Sequence, residues 1–365
     1  MKVFFNSTQL HKIVSLFILI LAFSLVAGNT YSQNFVSVKD GEWKTDSTWE
    51  STSNCSKWSN VSDGQPPVSK NWGCEVTVVI NHEVTYNGNA SGFGSGVFTS
   101  LEIGPNGKLI FEDNITINGG GSEPEIILAE GAELVVNGKF DIDRGVEIVV
   151  PKNAKLTINN FEIGDNRPVI TIEDGAILVV SGETHVRSQS TLNVFGQFQT
   201  DELNYSSGGE INIGSNDFSG EVSVSGNMLI GNGDLNMYNG STLMVGGTSS
   251  TGSSGSINLE DNAKMSLVGD VEMGQGGSMT INDNAEFSFE SKYFTSGGAN
   301  IKLNDNARGT VHDEVIMTNG RLYLNNSSEL MLGSTFTATN GAKVIGKQNG
   351  AMYVCDYPRK KIQGT

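Results

Sequence analysis

The sequence is poor in the residues and motifs on which most catalytic and metal centres depend. It contains three cysteines and four histidines in 365 residues. It has no phosphate-binding Gly-x-x-x-x-Gly-Lys-[Ser/Thr] loop, no His-Glu-x-x-His and no Gly-x-Ser-x-Gly elbow. The cysteine spacing does not fit a zinc site. We therefore predict no catalytic residues from sequence motifs.

Long apolar runs are also scarce, because only residues 13–28 form one. Lys2, His11 and Lys12 precede this run, and small and polar residues follow it to position 33. A short basic start, an apolar middle and a small-residue exit are typical of a secretory signal peptide. The alternative is an uncleaved N-terminal anchor, although the run is marginal for a span of about 20 residues. We predict that residues 1–33 are a signal peptide and that the mature chain does not span a membrane.

Basic residues are few. The chain has 23 Lys and Arg against 40 Asp and Glu, a formal net charge of −17. Without residues 1–33 the balance becomes 21 against 40, or −19. Such a charge repels nucleic acid and anionic membranes, and it favours solubility or divalent cations. Nucleic acid is therefore not an expected partner.

The cysteines suggest one disulfide. Cys55 and Cys74 close a short loop that is dense in tryptophan, and secretion would place them in an oxidising compartment. We predict a bond between them. Cys355 is left over, either as a buried thiol or as a sign that the chain once continued.

The main positive feature is a repeat of 22 residues. The segments "LEDNAKMSLV", "INDNAEFSFE" and "LNDNARGTVH" follow one another at this interval, and weaker copies precede them. Apolar and polar residues alternate in each, which is the period of a strand with one buried face, and no helical stripe competes. The small residue that follows the turn recurs at Ala132, Ala154, Ala176, Ser241, Ala263, Ala285 and Ala307.

A fixed period of about 20–50 residues indicates a solenoid or a propeller. Three short strands per repeat are too few for a four-stranded propeller blade, and the leucine-rich pattern is absent. We predict an all-β fold: a right-handed, single-stranded parallel β-helix of about 11 coils with 22 residues per coil and an N-terminal cap. The predicted divisions are the signal peptide 1–33, a Trp-rich cap and opening strands 34–100, the β-helix 101–350 and a C-terminal tail 351–365.

The Asp-Asn-Ala segment is predicted to be a corner between strands. Asn and Gly tolerate left-handed backbone geometry, so we assign that geometry to the position before the alanine. Stacked Asn262, Asn284 and Asn306 could pass amide hydrogen bonds from coil to coil. The other residues at this position are Gly131, Asn153, Gly175 and Gly240.

Charged residues follow the alanine and are predicted to stack with alternating sign. Lys264, Glu286 and Arg308 form one such column, and Glu133 lies one repeat before Lys155. Each pair is worth about 0.2–1 kcal/mol and also penalises a slipped register.

The corner also supplies the one candidate metal site. Asp261, Asp283 and Asp305 are expected about 4.8 Å apart, so they are weak candidates for binding calcium. The alternative, which the sequence favours, is three solvated turn aspartates that hydrogen-bond their own backbone. No other cofactor is predicted.

All four tryptophans lie between residues 43 and 72. Trp43, Trp49, Trp58 and Trp72 are predicted to cover the open end of the first coil. The alternative is a platform on which sugar rings stack.

This region resembles a known group of proteins. The similarity lies in a Trp, then Thr-Trp, then a proline, then "VTVVINHEVT" and "SLEIGPNGKLIFED". In these segments it is similar to the start of exported bacterial parallel β-helix surface proteins with a Trp-rich, eight-glycine-module-like cap. The resemblance covers about residues 41–140 and departs by the inserted cysteine loop and a looser glycine pattern. It implies a β-helical domain on an extracellular protein, often linked to carbohydrate or surface contact, and no catalytic residues.

The expected function is therefore that of a structural and binding protein. We predict an adhesin-like or matrix-like rod that is secreted or lies on the outer face of a bacterial envelope, with a glycan or a surface protein as partner. Side chains such as Asn258, Thr280 and Lys302 would supply avidity along one repetitive face. The alternative is a polysaccharide lyase or hydrolase, with calcium. The sequence favours the non-enzymatic function, because long inserted loops and aromatic walls are lacking.

Overall fold

The structure is a computed structural model. It describes residues 32–53, 66, 75–88, 90–91, 100–118, 125–205, 208–354 and 360–362. Within them, 38 strands and one short 3-10 helix, Asp46–Thr48, follow in chain order.

The strands are β1 Ser32–Ser37, β2 Gly41–Glu42, β3 Trp49–Ser53, β4 Glu75–Ile80, β5 Glu83–Tyr86, β6 Ala90–Ser91, β7 Ser100–Ile103, β8 Lys108–Phe111, β9 Ile115–Asn118, β10 Glu125–Leu128, β11 Glu133–Asp143, β12 Glu147–Val150, β13 Lys155–Ile163, β14 Val169–Ile172, β15 Ile177–Val186, β16 Thr191–Val194, β17 Gln197–Asn204, β18 Glu210–Ile213, β19 Glu221–Val224, β20 Met228–Ile230, β21 Asp234–Met237, β22 Thr242–Val245, β23 Ser249–Thr251, β24 Ser256–Leu259, β25 Lys264–Leu267, β26 Val271–Met273, β27 Ser278–Ile281, β28 Glu286–Phe289, β29 Tyr293–Thr295, β30 Asn300–Leu303, β31 Arg308–Val311, β32 Val315–Thr318, β33 Arg321–Leu324, β34 Glu329–Leu332, β35 Phe336–Thr339, β36 Lys343–Gly346, β37 Ala351–Val354 and β38 Lys360–Ile362.

The strands form a β-solenoid of about 12 turns, which confirms the predicted fold class. Each regular coil contributes one strand to each of three parallel stacks. The first stack runs β3-β1-β4-β7-β10-β12-β14-β16-β18-β21-β24-β27-β30-β33-β36, and it is parallel except at its start, where β3 pairs antiparallel with β1. The second contains β19, β22, β25, β28, β31 and β34 in succession. The third contains β20, β23, β26, β29, β32 and β35, and the long strands β11, β13, β15 and β17 serve both.

The alternation of apolar and polar residues explains why the strands bury one face. In β27, Met279 and Ile281 are buried while their neighbours are not, and the same pattern recurs in almost every coil. The inward residues meet in one continuous hydrophobic core along the axis. The apolar area removed from water, at about 25 cal/mol per Å², is the main stabilising contribution.

Strand register confirms that residues one repeat apart lie above one another. Lys264 pairs with Glu286, and Glu286 pairs with Arg308, each at the predicted repeat interval. The interval is not constant, however. Ile177 pairs with Gln197, which is closer in the chain than a full repeat, and Gln197 pairs with Glu221, which is farther away than one. The coils therefore differ in length in the middle of the rod.

The corners are hydrogen-bonded turns, but the left-handed residue differs from the prediction in the regular coils. Ala285 donates its backbone N–H to the carbonyl of Asn282 at 3.0 Å and is fully buried, as predicted for the alanine. Gly131, Asn153, Gly175 and Gly240 have positive φ as predicted. In the later coils, the residues with positive φ are instead Asp261, Asp283 and Asp305.

The assignment of Asn262, Asn284 and Asn306 to this geometry was therefore wrong. In these later corners only the first of the two central turn residues, Asp261, Asp283 or Asp305, has a positive φ, which is the pattern of a type II′ turn. Gly131, Asn153 and Gly175 instead have positive φ at the second central position, as in type II. Because the turn type changes along the rod, the same alignment column does not have the same backbone geometry throughout.

Further strand pairs lie at both ends of the coil array. At the start, β4 pairs in parallel with β7, so the predicted opening strands in 34–100 join the first stack. At the other end, β37 pairs with β34 and is itself joined by antiparallel β38.

Candidate functional site: a groove along the second stack

Two rows of outward side chains run along the second stack, parallel to the solenoid axis. We call them the charged row and the hydroxyl–methionine row. The charged row consists of Glu221, Thr242, Lys264, Glu286, Arg308 and Glu329. The hydroxyl–methionine row consists of Ser223, Met244, Ser266, Ser288, Thr310 and Met331.

A groove of about 510 Å³ lies between the rows. We call it the lateral groove. Its walls stand two residues apart on each strand, a separation of about 7 Å, and its six strands extend over about 24 Å. The strand segments between the rows, including those at Val222 and Phe287, form its floor. The groove is thus long, narrow and open to solvent.

The charged row neutralises much of its own charge. Lys264 Nζ lies 3.5 Å from Glu286 Oε2, and Arg308 Nε lies 3.8 Å from Glu329 Oε2. The predicted stacking of opposite charges is confirmed for these pairs. Because the four side chains are largely exposed, each pair adds only about 0–1 kcal/mol to stability. Their fixed alternation along the wall is the more useful property for recognition.

In an earlier coil the partner differs from the expected one. Glu133 lies opposite Lys155 in register, but its carboxylate pairs with Lys108 Nζ at 3.7 Å. Lys108 Nζ also lies 3.3 Å from Glu83 Oε2.

The opposite wall has an apolar residue near each end and hydroxyls between. Met244 is 57% exposed and Met331 is 43% exposed, both unusually high for methionine. Ser266, Ser288 and Thr310 lie between them in register. A flexible, polarisable methionine adapts to irregular apolar surfaces. The hydroxyls both donate and accept hydrogen bonds.

A second depression, of about 450 Å³, continues the groove toward the N-terminal end. We call it the notch. It shares Glu221 and Thr242 with the lateral groove. It lies where the repeat breaks: β16 and β17 are joined only by Phe195 and Gly196, and Gly196 packs directly against the carbonyl oxygens of the neighbouring turn. A side chain at Gly196 would collide with that backbone.

In the next coil the same corner is a longer loop, residues 214–220, which we call the corner loop. Within it, Ser215 donates its N–H to the carbonyl of Phe218 at 2.7 Å. The rings of Phe218 and Phe195 lie 6.2 Å apart, centroid to centroid, at 37°. Phe218 is 47% exposed. The corner loop therefore presents an aromatic surface beside the notch.

The predicted aspartate stack exists, but its carboxylates do not converge. Asp283 Oδ2 accepts the backbone N–H of Asp261 at 3.4 Å, and Asp305 Oδ1 accepts Asn326 Nδ2 at 2.8 Å. Among the described residues, no group of three His, Cys, Asp or Glu side chains is placed to hold a metal ion. The structure therefore does not bring Asp261, Asp283 and Asp305 together as a calcium site, because these side chains bond to neighbouring corners.

Asparagine ladders exist, partly at other positions than predicted. Asn306 Nδ2 donates a hydrogen bond to Asn284 Oδ1 at 3.3 Å. The backbone also joins the stacked corners, because the N–H of Asn284 donates to the carbonyl oxygen of Asp261 at 2.8 Å. Two further ladders were missed in the sequence. They run through Asn193, Asn212, Asn236 and Asn258 and through Asn282, Asn304 and Asn325. The repeat interval of 22 residues could have marked only the pairs Asn236–Asn258 and Asn282–Asn304, because the other pairs are 19, 24 and 21 residues apart.

The first-stack ladder limits the face that was predicted to bind ligands. Asn258, Thr280 and Lys302 do lie in register on the outer side of this stack. The amide of Asn258, however, donates to Asn236 at 2.9 Å, so part of its bonding capacity is used within the ladder. This face therefore offers fewer free donors to a ligand than its sequence suggests.

Two of the tryptophans are buried and do not present a ring face to a sugar. Trp43 is fully buried and Trp49 almost so, with their rings 5.3 Å apart and edge-on. Trp43 also contacts Tyr86, and its Nε1 donates to the carbonyl of Pro66 at 3.2 Å. The stacking role of Trp43 and Trp49 was therefore wrong, since neither offers an exposed ring face.

Several predictions fall on residues outside the described part of the chain. These are residues 1–31 of the predicted signal peptide, the Cys55–Cys74 disulfide, Trp58, Trp72 and Cys355. They stay predictions. The last two residues of the predicted signal peptide, Ser32 and Gln33, belong to β1.

The most buried ionic cluster lies on the outer side of the long strands. Glu162 is only 8% exposed, and it bonds to Lys139 Nζ at 2.9 Å and to Arg187. Burial tends to raise the pKa of Glu162, but the hydrogen bonds and charges of Lys139 and Arg187 lower it below its ordinary value. Burial raises the pKa of neighbouring Asp141. His185 Nδ1 lies 3.9 Å from Glu162.

The other two histidines that the structure describes contact nearby groups. His82 Nδ1 lies 2.9 Å from the carbonyl oxygen of Ser37, which links β1 to the turn between β4 and β5. His312 Nε2 lies 3.6 Å from Glu290.

Comparison with known proteins adds no assignment. No protein-family model matches the sequence, and no curated protein or solved structure matches it significantly. Within the described residues, there is no helix long and apolar enough to cross a membrane.

Proposed function

We propose that the protein is a secreted or cell-surface binding rod, of the adhesin or matrix type, that holds an extended ligand in the lateral groove. The observation that carries this proposal is the groove itself. It offers one pair of outward wall positions per coil over six strands, which suits a long ligand and avidity. The proposal includes the signal peptide, a location outside the cell or on the outer face of a bacterial envelope, and a glycan or surface protein as partner.

The charged groups support binding rather than catalysis. Glycoside hydrolysis uses two carboxyl groups about 5–9.5 Å apart that are free to exchange protons and attack. Along the charged row, Glu286 and Glu329 pair with bases instead. In the ionic cluster, both oxygens of Glu162 are occupied by Lys139 and Arg187.

A binding experiment with two matched variants tests the proposal. Mature protein is applied to arrayed glycans, insoluble polysaccharides and extracellular matrix proteins, with and without calcium. Ser288→Trp obstructs the groove, whereas Thr280→Trp places the same ring on the first stack of the same coil. Both positions are half-buried and point outward. We expect Ser288→Trp to abolish binding and Thr280→Trp to leave it unchanged.

Other outcomes would change the conclusion. Loss of binding only in Thr280→Trp would place the ligand on the first stack. Release of soluble products from a bound glycan would support the lyase or hydrolase alternative. Calcium dependence stays a prediction that the same assay decides.

A further inference from the structure

We propose that the ligand is a linear, uncharged polysaccharide that lies along the lateral groove with about one sugar per coil and stacks one end on Phe218. The inference rests on the proposed function and specifies its ligand. Spacing, hydrogen-bonding chemistry, charge and the position of the corner loop support it.

The spacing favours a sugar chain over a peptide. Successive coils place equivalent wall groups about 4.8 Å apart along the groove. The rise per sugar of an extended β-linked glycan is close to this distance, so each sugar would meet one coil. An extended peptide advances about 3.3 Å per residue, and a strand pairs through unpaired sheet edges. The groove crosses the strands instead and exposes no such edge.

The walls match groups that both donate and accept hydrogen bonds. In the charged row, Lys264 and Arg308 can only donate, whereas Glu286 and Glu329 can only accept. They alternate from coil to coil. A sugar hydroxyl satisfies either kind of partner, so a chain of identical sugars can bond to every coil. The apolar face of a sugar can then lie against Met244 at the other wall.

The charge of the site favours a neutral chain. The bases of the groove are already paired with carboxylates, at 3.5 Å for Lys264 and 3.8 Å for Arg308. Glu221 adds a further acid at the junction with the notch. The chain as a whole has a net charge of −17. A polyanion such as a polyuronate would be repelled by this field.

The corner loop supplies an end to the site. Phe218 is exposed beside the notch, and its ring is braced at 6.2 Å by Phe195. The loop exists because the repeat is interrupted at this point, and insertions of this kind commonly map to the binding face of a solenoid. A sugar that reaches the notch can stack its apolar face on the exposed ring.

A chain-length series tests the inference. Neutral β-1,4-linked glucan, xylan and mannan oligosaccharides of two to eight sugars are titrated calorimetrically into the full mature chain, with oligogalacturonates of equal length as charged comparators. We expect affinity for at least one neutral series to rise to about six sugars and then to level, since the groove extends over about 24 Å. Oligogalacturonates should bind at least about tenfold more weakly.

Two variants locate the chain. Phe218→Ala should lower the affinity for the longest oligosaccharides about three- to tenfold and leave the shortest ones less affected. Ser288→Trp should abolish binding, with Thr280→Trp as the folded control. Circular dichroism checks that each variant keeps its strand content.

Failure of this inference is distinguishable from failure of the proposed function. Affinity that is independent of length, tighter binding of oligogalacturonates, or no binding of any neutral series would overturn the ligand assignment. If Ser288→Trp still removed binding to a matrix protein, the binding rod would stand with a different ligand. If Ser288→Trp removed no binding at all, both proposals would fall.

Discussion

One prediction concerns the core directly beneath the lateral groove, where a glycine replaces a large side chain. Phe287 and Gly309 are register neighbours in the second stack. A methyl group on Gly309 would collide with the ring of Phe287 and would lie 2.9 Å from Leu330 Cδ1. The phenyl ring therefore occupies the volume that the glycine leaves empty. The two residues should be energetically coupled.

The perturbation is Gly309→Ala, alone and combined with Phe287→Leu. Gly309 does not have a positive φ, so alanine would by itself stabilise the chain by about 0.4–1 kcal/mol through the unfolded state. Overpacking costs about 1–3 kcal/mol, so Gly309→Ala should destabilise the protein by a net amount of up to about 2.6 kcal/mol. In the Phe287→Leu background the collision with the phenyl ring is removed, and the end of the flexible Leu330 side chain can shift, so the same change should be neutral or stabilising. The coupling energy is then about 1–3 kcal/mol.

The assay is urea unfolding with a double-mutant cycle. Because long repeat arrays can unfold in parts, amide hydrogen exchange in strands β28 and β31 should accompany it. Met265→Leu is the matched control, since Met265 borders Phe287 on the side away from Gly309. Gly309→Ala should cost the same in that background as in the wild type. An equal cost of Gly309→Ala with and without Phe287→Leu would refute the reasoning.

Three further predictions concern buried polar groups. Ser241 occupies the inward alanine position of its corner with an unpartnered hydroxyl, so Ser241→Ala should raise the free energy of unfolding by about 1 kcal/mol, which urea unfolding can measure. Tyr293 donates its buried hydroxyl to Met273 Sδ at 2.9 Å, so Met273→Leu should cost about 1–3 kcal/mol more than Met279→Leu, a comparison that fails if the two costs are equal. The lowered pKa of Glu162 means that its ion pairs stabilise the fold above the ordinary glutamate pKa and are lost as pH falls through the lowered value. Glu162→Gln should therefore lower the Tm at pH 7, and the difference from the wild type should shrink as the pH falls through the lowered pKa; a constant difference would contradict this.

The fold could be predicted because a solenoid converts sequence period directly into spatial neighbours. Once Lys264, Glu286 and Arg308 recur at a fixed interval in a strand pattern, stacking follows without any knowledge of other parts of the chain. The inward alanines followed from the same alignment. The prediction that was wrong concerned the local backbone geometry of the corners. The sequence offers both Asp and Asn at each corner, and both tolerate a positive φ, so composition could not decide that Asp283 rather than Asn284 adopts it.

The candidate site was harder to predict because each coil has three outward faces. Periodicity marks outward residues equally on all of them, and Thr280 is as regular a choice as Ser288. The choice of face depends on concavity, which requires the positions of the corners in three dimensions. The aromatic signal was also misleading. The four tryptophans drew attention to the cap, whereas the exposed ring beside the groove is Phe218, a single residue in an irregular segment.

The interruption of the repeat explains why the groove has an end. Coils of uniform length would continue the charged row along the rod without change. Instead, the interval from Ile177 to Gln197 is shorter than the repeat and the interval from Gln197 to Glu221 is longer, so a short corner is followed by a long one. The short corner opens the notch and the long one places Phe218 beside it. The regular coils thus supply a repeated surface, and the two irregular coils define where the proposed ligand would begin.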